Sequence, residues 1–199
     1  MSRGILAALP LMLAFFGCSA IIIHELPENW YEAENERYAY RLTIPDSWHR
    51  SLNSRIRPTI FKCAPAEGDA AIIVYVDEGG RTPEIPEFEE SLENSEGKES
   101  LALLRNWRSS FSNRVGYYVT FLWKGTISIG EEITIGKPGT EYRAIVAVID
   151  RAPSPVYLIC YAENKIFKDL YLKYFADVQQ SIKVGHAEIT VRGIPAPSK

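Results

Sequence analysis

Two apolar runs constrain this chain more than any other feature. EYRAIVAVIDR (141–151) and PVYLICYA (155–162) are separated only by turn residues around Ala-Pro-Ser-Pro. Runs of this length, rich in Val, Ile and Tyr and broken by proline, read as two strands of one antiparallel hairpin. A second hairpin precedes it, TIFKCAP (59–65) and AAIIVYVDE (70–78), with turn residues in Ala-Pro-Ala-Glu-Gly-Asp. The run AIIVYV has no polar alternation, so its strand is expected to be covered on both faces. RVGYYVTFLWKG (114–125) and YAYRLTIP (38–45) alternate with strand period, and TISIGEEITIGKPG continues in short pieces punctuated by glycine. In the segment 99–107, Leu101, Leu104 and Arg108 fit a helix while Leu101, Leu103 and Trp107 fit a strand, and the strand is preferred. Four Trp, eleven Tyr and eight Phe favour a β-rich core.

Two segments have helical period. In RTPEIPEFEESLENSEG, Pro86 suits a first turn, acids follow it, and Phe88 and Leu92 share one face, with Gly97 as the stop. In NKIFKDLYLKYFADVQQSIKVG, Phe167, Leu170 or Tyr171, Tyr174, Val178 and Ile182 make an apolar stripe. Asn164 is the expected cap and Gly185 the expected end. The fold class that follows is α+β: a central antiparallel sheet of about six or seven strands packed by helices, an α/β/α sandwich with a long C-terminal helix.

The N-terminus is of another kind. MSRGILAALPLMLAFFGCSAIII carries one cation, Arg3, then an apolar run, as an export signal does. Phe-Phe-Gly-Cys resembles a bacterial lipobox, although Phe15 stands where such motifs usually have Leu. The resemblance implies cleavage before Cys18, a lipid (palmitate or a related acyl chain) on that residue, and, with Ser19 beside it, an outer-membrane lipoprotein facing the periplasm. Residues 1–17 are then a signal peptide, 18–37 a lipid-anchored tether ending in a short helix or turn, 38–184 the folded domain and 185–199 a tail with one edge strand, AEITV. A rival reading keeps residues 4 to 23 as an uncleaved inner-membrane helix, since at ~1.5 Å per residue they cross a ~30 Å hydrocarbon core. Simple cleavage is a third. All three put the domain outside the cytoplasm. Cys63 and Cys160 then lie in an oxidising space, and a disulfide between them is conceivable. The preferred reading makes each a small buried hydrophobe.

The stretch RLTIPDSWHR (41–50) places Asp46, Ser47 and His49 in a row. The preferred reading is a corner: Pro45 ends the strand and Trp48 folds back into the core. A Ser–His–Asp site needs three-dimensional placement that neighbours in sequence rarely supply. This corner and the helix close FADVQQSIKV (Phe175, Val178, Ser181, Ile182) resemble the PsbP-like group. That α/β/α sandwich is shared by extrinsic photosystem proteins, a Ran-binding nuclear-import factor of the Mog family and small bacterial lipoproteins. The resemblance covers about residues 38 to 184 and implies a non-catalytic domain that binds a protein or supports an assembly. The family corner often has Gly before Trp, where this chain has Ser47. No metal ligand or partner-binding residue of the family has a match here.

Other chemistry is sparse. Formal net charge is −3 and the pI about 5.7, so no basic field for nucleic acid exists. His24, His49 and His186 are scattered, no zinc, calcium or nucleotide motif is present, and no cofactor or metal is expected. The acidic helix, with Glu87, Glu89, Glu90 and Glu93, is either a solvated face or a docking surface for a basic partner. The basic group His49, Arg50, Arg55, Arg57 and Lys62 faces that helix, faces anionic lipid heads or is ordinary surface. Trp107, Tyr117, Tyr118, Phe121 and Trp123 fill the core or line a ligand groove. The expected function is that of an envelope lipoprotein whose domain binds a protein partner, and a small-ligand or lipid-binding module is the alternative.

Overall fold

A computed structural model describes residues 29–50, 59–130 and 132–185. The signal peptide, Cys18, Arg55, Arg57, His24, His186 and the AEITV segment lie outside these residues.

Strands β3 (His49–Arg50), β4 (Ile60–Ala64), β5 (Ala70–Val76), β6 (Lys98–Phe111), β7 (Arg114–Ile129), β8 (Ile133–Ile149) and β9 (Val156–Glu163) form a seven-stranded sheet in the order β3-β4-β5-β9-β8-β7-β6. Every pairing in it is antiparallel. A smaller sheet joins β1 (Trp30–Asn35), β2 (Tyr40–Pro45) and β10 (Lys183–Val184) in the order β1-β2-β10. Helix α1 (Ile85–Glu93) follows β5. After β9, α2 (Asn164–Leu170), a π-helical turn (Tyr171–Phe175) and α3 (Ala176–Ser181) run on as one helix of 18 residues.

The large sheet buries both faces. One face packs against the C-terminal helix and the small sheet through Ile72, Val74, Leu158, Cys160, Phe167, Phe175 and Val178. The other carries Tyr75, Tyr117, Phe121, Trp123, Val146 and Tyr157 beneath Phe88 and Leu92 of α1. Central β5 is therefore buried at every position, as its unbroken apolar run requires. The same face is also covered by the outer part of the β7–β8 hairpin. Its tip lies against Tyr75, where a Cβ on Gly130 would come within 2.7 Å of the ring. Tyr75 belongs to β5, separated from β7 by β8 and β9, so the hairpin folds back across the sheet. The bend sits at the register shift between Lys124 and Gly125. Gly125 and Gly136 have φ of +90° and +91°, and a Cβ on Gly136 would meet the Gly125 carbonyl at 2.4 Å.

Several expectations are corrected. Residues 30–35, assigned to the tether with a short helix or turn, form β1, paired from Trp30↔Pro45 to Asn35↔Tyr40. Their Glu residues face solvent while Trp30, Tyr31 and Ala33 pack on the core. Asn164 does not cap its helix. It is the first helical residue, and its amide donates to Glu141 Oε2 at 2.7 Å. The helix stops at Ser181 rather than Gly185, because Ser181 Oγ accepts from Thr43 N (2.9 Å) and the next residues join β2 as β10. The stripe also shifts: Phe175, not Tyr174, is fully buried, since the wider π turn brings Phe167 and Phe175 onto one line. Cys63 and Cys160 are both free and buried. They lie in one row of the sheet with Ile72 between them, two strand spacings or roughly 10 Å apart, beyond the reach of a bridge.

At the corner, Trp48 N donates to the Pro45 carbonyl at 3.0 Å and Asp46 N to that of Asn29 at 2.8 Å. Trp48 is 3% exposed and sets its ring edge-on to Tyr174 (5.6 Å) and Phe175 (5.9 Å). His49 is exposed on β3. Buried Arg151, in the β8–β9 turn, donates to the Ser154 carbonyl and to that of Tyr38, which ties this turn to the β1–β2 turn.

Candidate docking surface

The β5–α1 loop and α1 make the most featured surface of the molecule. Glu84 takes the N-cap position, with Pro86 in the first turn. A capping box closes around Glu87, whose carboxylate accepts from Glu84 N at 2.9 Å. The same carboxylate holds Arg81 in a two-point pair at 2.7 and 2.8 Å. The Arg81 bond and the backbone bond together lower the Glu87 acid to about 2. Phe88 anchors the helix from below, meeting Tyr117 and Tyr157 at 6.3 Å. Tyr117 OH donates to the Pro83 carbonyl at 2.9 Å and fixes the loop to the sheet.

Two open clefts flank this loop, and Arg81 and Pro83 line both. One, of about 420 Å³, lies toward the β8–β9 turn and is walled by Thr82, Glu84, Arg108, Val115, Asp150 and Pro153. The other, of about 570 Å³, lies between α1 and the hairpin tip, with Ser91, Asn94, Ser95, Ser128 and Gly130 on its walls and Tyr157 at its floor. Several of their polar groups are tied to the protein. Thr82 Oγ1 donates to Asp150 Oδ1 at 2.6 Å, and Arg108 meets Glu84 at 3.3 Å. Ser91 and Ser95 donate to helix carbonyls, and Ser95 Oγ also accepts from Ser128 N at 3.1 Å. No histidine or lysine lines either cleft.

Of the four acids picked out from the sequence, Glu87 is committed to Arg81 and Glu89 accepts from Asn106 at 2.8 Å. Glu90 and Glu93 are exposed, and their side chains make no ion pair among the described residues. Glu96 extends the strip. The clefts themselves were not foreseen. The recurrent Pro and Gly of 79–86 and 152–155 are their sequence signal, because such loops form rigid rims.

Trp123, Tyr117 and Phe121 are core residues, while Trp107 and Tyr118 stack at 4.9 Å on the other face and are partly buried. Phe167, Phe175, Val178 and Ile182 fill the space beneath the C-terminal helix. Asp69 joins the β4–β5 turn to β8, accepting from Lys137 at 2.9 Å and from the buried Tyr142 hydroxyl. Burial alone would raise this carboxyl, but the bonds from Tyr142 and Lys137 outweigh it and lower it.

The architecture has a counterpart among solved structures. The chain matches the cyanobacterial PsbP protein, CyanoP, of Synechocystis sp. PCC 6803 with a TM-score of 0.55. The match covers 86% of this chain and 99% of that one at 11% identity. The likeness is one of fold. A Pseudomonas aeruginosa protein of unknown function, PA94, matches at 18% identity and TM-score 0.46 over 76% of this chain and 94% of that one. A Bacteroides thetaiotaomicron protein matches at 9% and 0.44 over 77% and 48%. Both lie below the level at which a shared fold follows. No protein-family model matches the sequence, nor does any curated protein.

Proposed function

We propose that this chain is an envelope lipoprotein whose non-catalytic PsbP-like domain docks a protein partner through the β5–α1 surface. The observation that carries the reading is the pair of clefts sharing Arg81 and Pro83 beside the acidic strip of α1. Arg81, Thr82, Glu84, Glu87, Ser91, Ser95, Arg108 and Asp150 are held in internal hydrogen bonds or ion pairs, an arrangement suited to a rigid recognition surface. Exposed Glu90 and Glu93 favour a partner with a basic segment, since such charges set encounter rate and orientation. The CyanoP fold supports a non-enzymatic role. The Phe-Phe-Gly-Cys motif supports lipidation at Cys18 and exposure to the periplasm.

The test is site-specific photo-crosslinking in the native envelope from positions 90 and 93, with Lys62 on β4 as control. A single partner is expected from the first two positions only, and Glu90→Lys with Glu93→Lys should abolish it. Equal capture from Lys62, or capture insensitive to charge reversal, would refute the surface. Retention of a small apolar molecule in the 570 Å³ cleft, seen by native mass spectrometry, would instead favour the ligand-binding alternative.

A further inference from the structure

The opposite side of the sheet bears a different surface. The C-terminal helix turns its outer face to solvent with Lys165, Lys168, Asp169, Leu172, Lys173 and Gln180. Leu172 is 69% exposed, more than Leu104 or Val115, the other exposed large hydrophobics among the described residues. Alone it would mean little, because scattered surface leucines are ordinary. Its setting is what distinguishes it. Lys165 is paired with Glu163, but Lys168 and Lys173 form no ion pair among the described residues. Asp169 is the only exposed acid on the described helix. Lys173 Nζ lies 5.0 Å over the Tyr174 ring, and Tyr174 meets the Trp30 ring at 6.1 Å.

Trp30 opens β1, where the described chain begins to pair. Even fully extended, the stretch from Cys18 to Trp30 spans at most roughly 40 Å, and from Ile23 roughly 25 Å. Whether Cys18 is lipidated or residues 4 to 23 stay in the bilayer, the membrane is tied to this edge of the domain. Tryptophan and tyrosine at headgroup level, one apolar side chain and two unpaired lysines suit a bilayer surface.

We infer that the outer face of the C-terminal helix, centred on Leu172 with Lys168 and Lys173, lies against an anionic lipid surface. This rests on the N-terminal anchor reading. It orients the molecule: the helix faces the bilayer and α1, on the other side of the sheet, faces away toward a partner. Each lysine near an anionic leaflet strengthens the contact about fivefold.

The test uses the full chain with Leu172→Cys carrying an NBD fluorophore, and Val115→Cys as control. Both are reconstituted with phosphatidylethanolamine–phosphatidylglycerol vesicles. The probe at 172 should shift to the blue and be quenched by nitroxide lipids, while that at 115 should not. Pure phosphatidylcholine vesicles, or added Lys168→Ala and Lys173→Ala, should reduce the effect severalfold. If the chain floats with vesicles but the 172 probe stays as wet as the 115 probe, the surface is overturned and the anchor stands. A chain that does not float overturns both. A blue shift that grows with protein concentration in the absence of vesicles would assign the face to a protein contact and overturn the inference.

Discussion

Single side chains decide whether this sheet keeps its two faces dry. Trp48 closes the corner after β2 by inserting between Tyr174 and Phe175. Trp48→Ala should cost about 3–5 kcal/mol in urea denaturation, as removal of a buried aromatic does. A cost under about 1 kcal/mol would show that the ring contributes little to the core. Burial pushes the Cys63 thiol up to about 12 and the Cys160 thiol higher still. Both should resist maleimide in the folded protein and react on unfolding. Rapid labelling of either under native conditions would contradict the packing.

Glu87 makes the pH-dependent contribution clearest. Its folded acid lies near 2, below the ordinary carboxylate value of about 4.3. The stabilisation from the Arg81 pair and the helix cap is therefore complete above that ordinary value and is lost as the pH falls toward 2. An NMR titration should place Glu87 near 2 in the native chain and move it up in Arg81→Ala. A Glu87 titration unmoved by that change would mean the pair is not formed in solution.

At the scale of elements, the antiparallel strands and both helices were legible because period and turn residues speak locally. Three features were not, and each has a physical reason. Leu101, Leu103 and Trp107 share one alternation, yet a bulge at Leu104 breaks it. Leu101 and Leu103 face α1, whereas Trp107 and Phe111 turn to the C-terminal helix. One extra residue flips every later side chain, and nothing in the local composition announces it. Deleting Leu104 should remove the bulge and leave Trp107 opposite Tyr118 on the side of the C-terminal helix, so tryptophan emission should stay near its native value, and a large shift would contradict the register.

The second feature is β1. Its acids suggested a tether, but an edge strand with one wet face accommodates glutamates. The fold-back of the β7–β8 hairpin was likewise hidden, although its glycines were visible. Gly136→Ala should cost more than about 1 kcal/mol, because the position combines a positive φ with contact against the Gly125 carbonyl. A neutral effect in thermal melts would show that the bend relaxes easily.

For the molecule as a whole, the two sheet faces carry different surfaces. The α1 side carries clefts and unpaired acids, and the helix side carries lysines and Leu172 near the point where the N-terminal segment joins. The acidic strip was legible as a charge run, while its pairing with two clefts depended on loops brought together from 79–86 and 150–155. The basic group after the corner is divided: His49, Arg50 and Lys62 lie on β3 and β4, and Arg55 and Arg57 fall outside the described residues. No helix among the described residues is long and apolar enough to cross a membrane, so the proposed attachment rests on the segment before Trp30.

Attachment through Cys18 can be read from the intact mass of the protein isolated from its own envelope. The expected chain begins at Cys18 and is heavier than its polypeptide by the lipid on that residue. A chain that still begins at Met1, or one cleaved near Cys18 that carries no lipid, would contradict it.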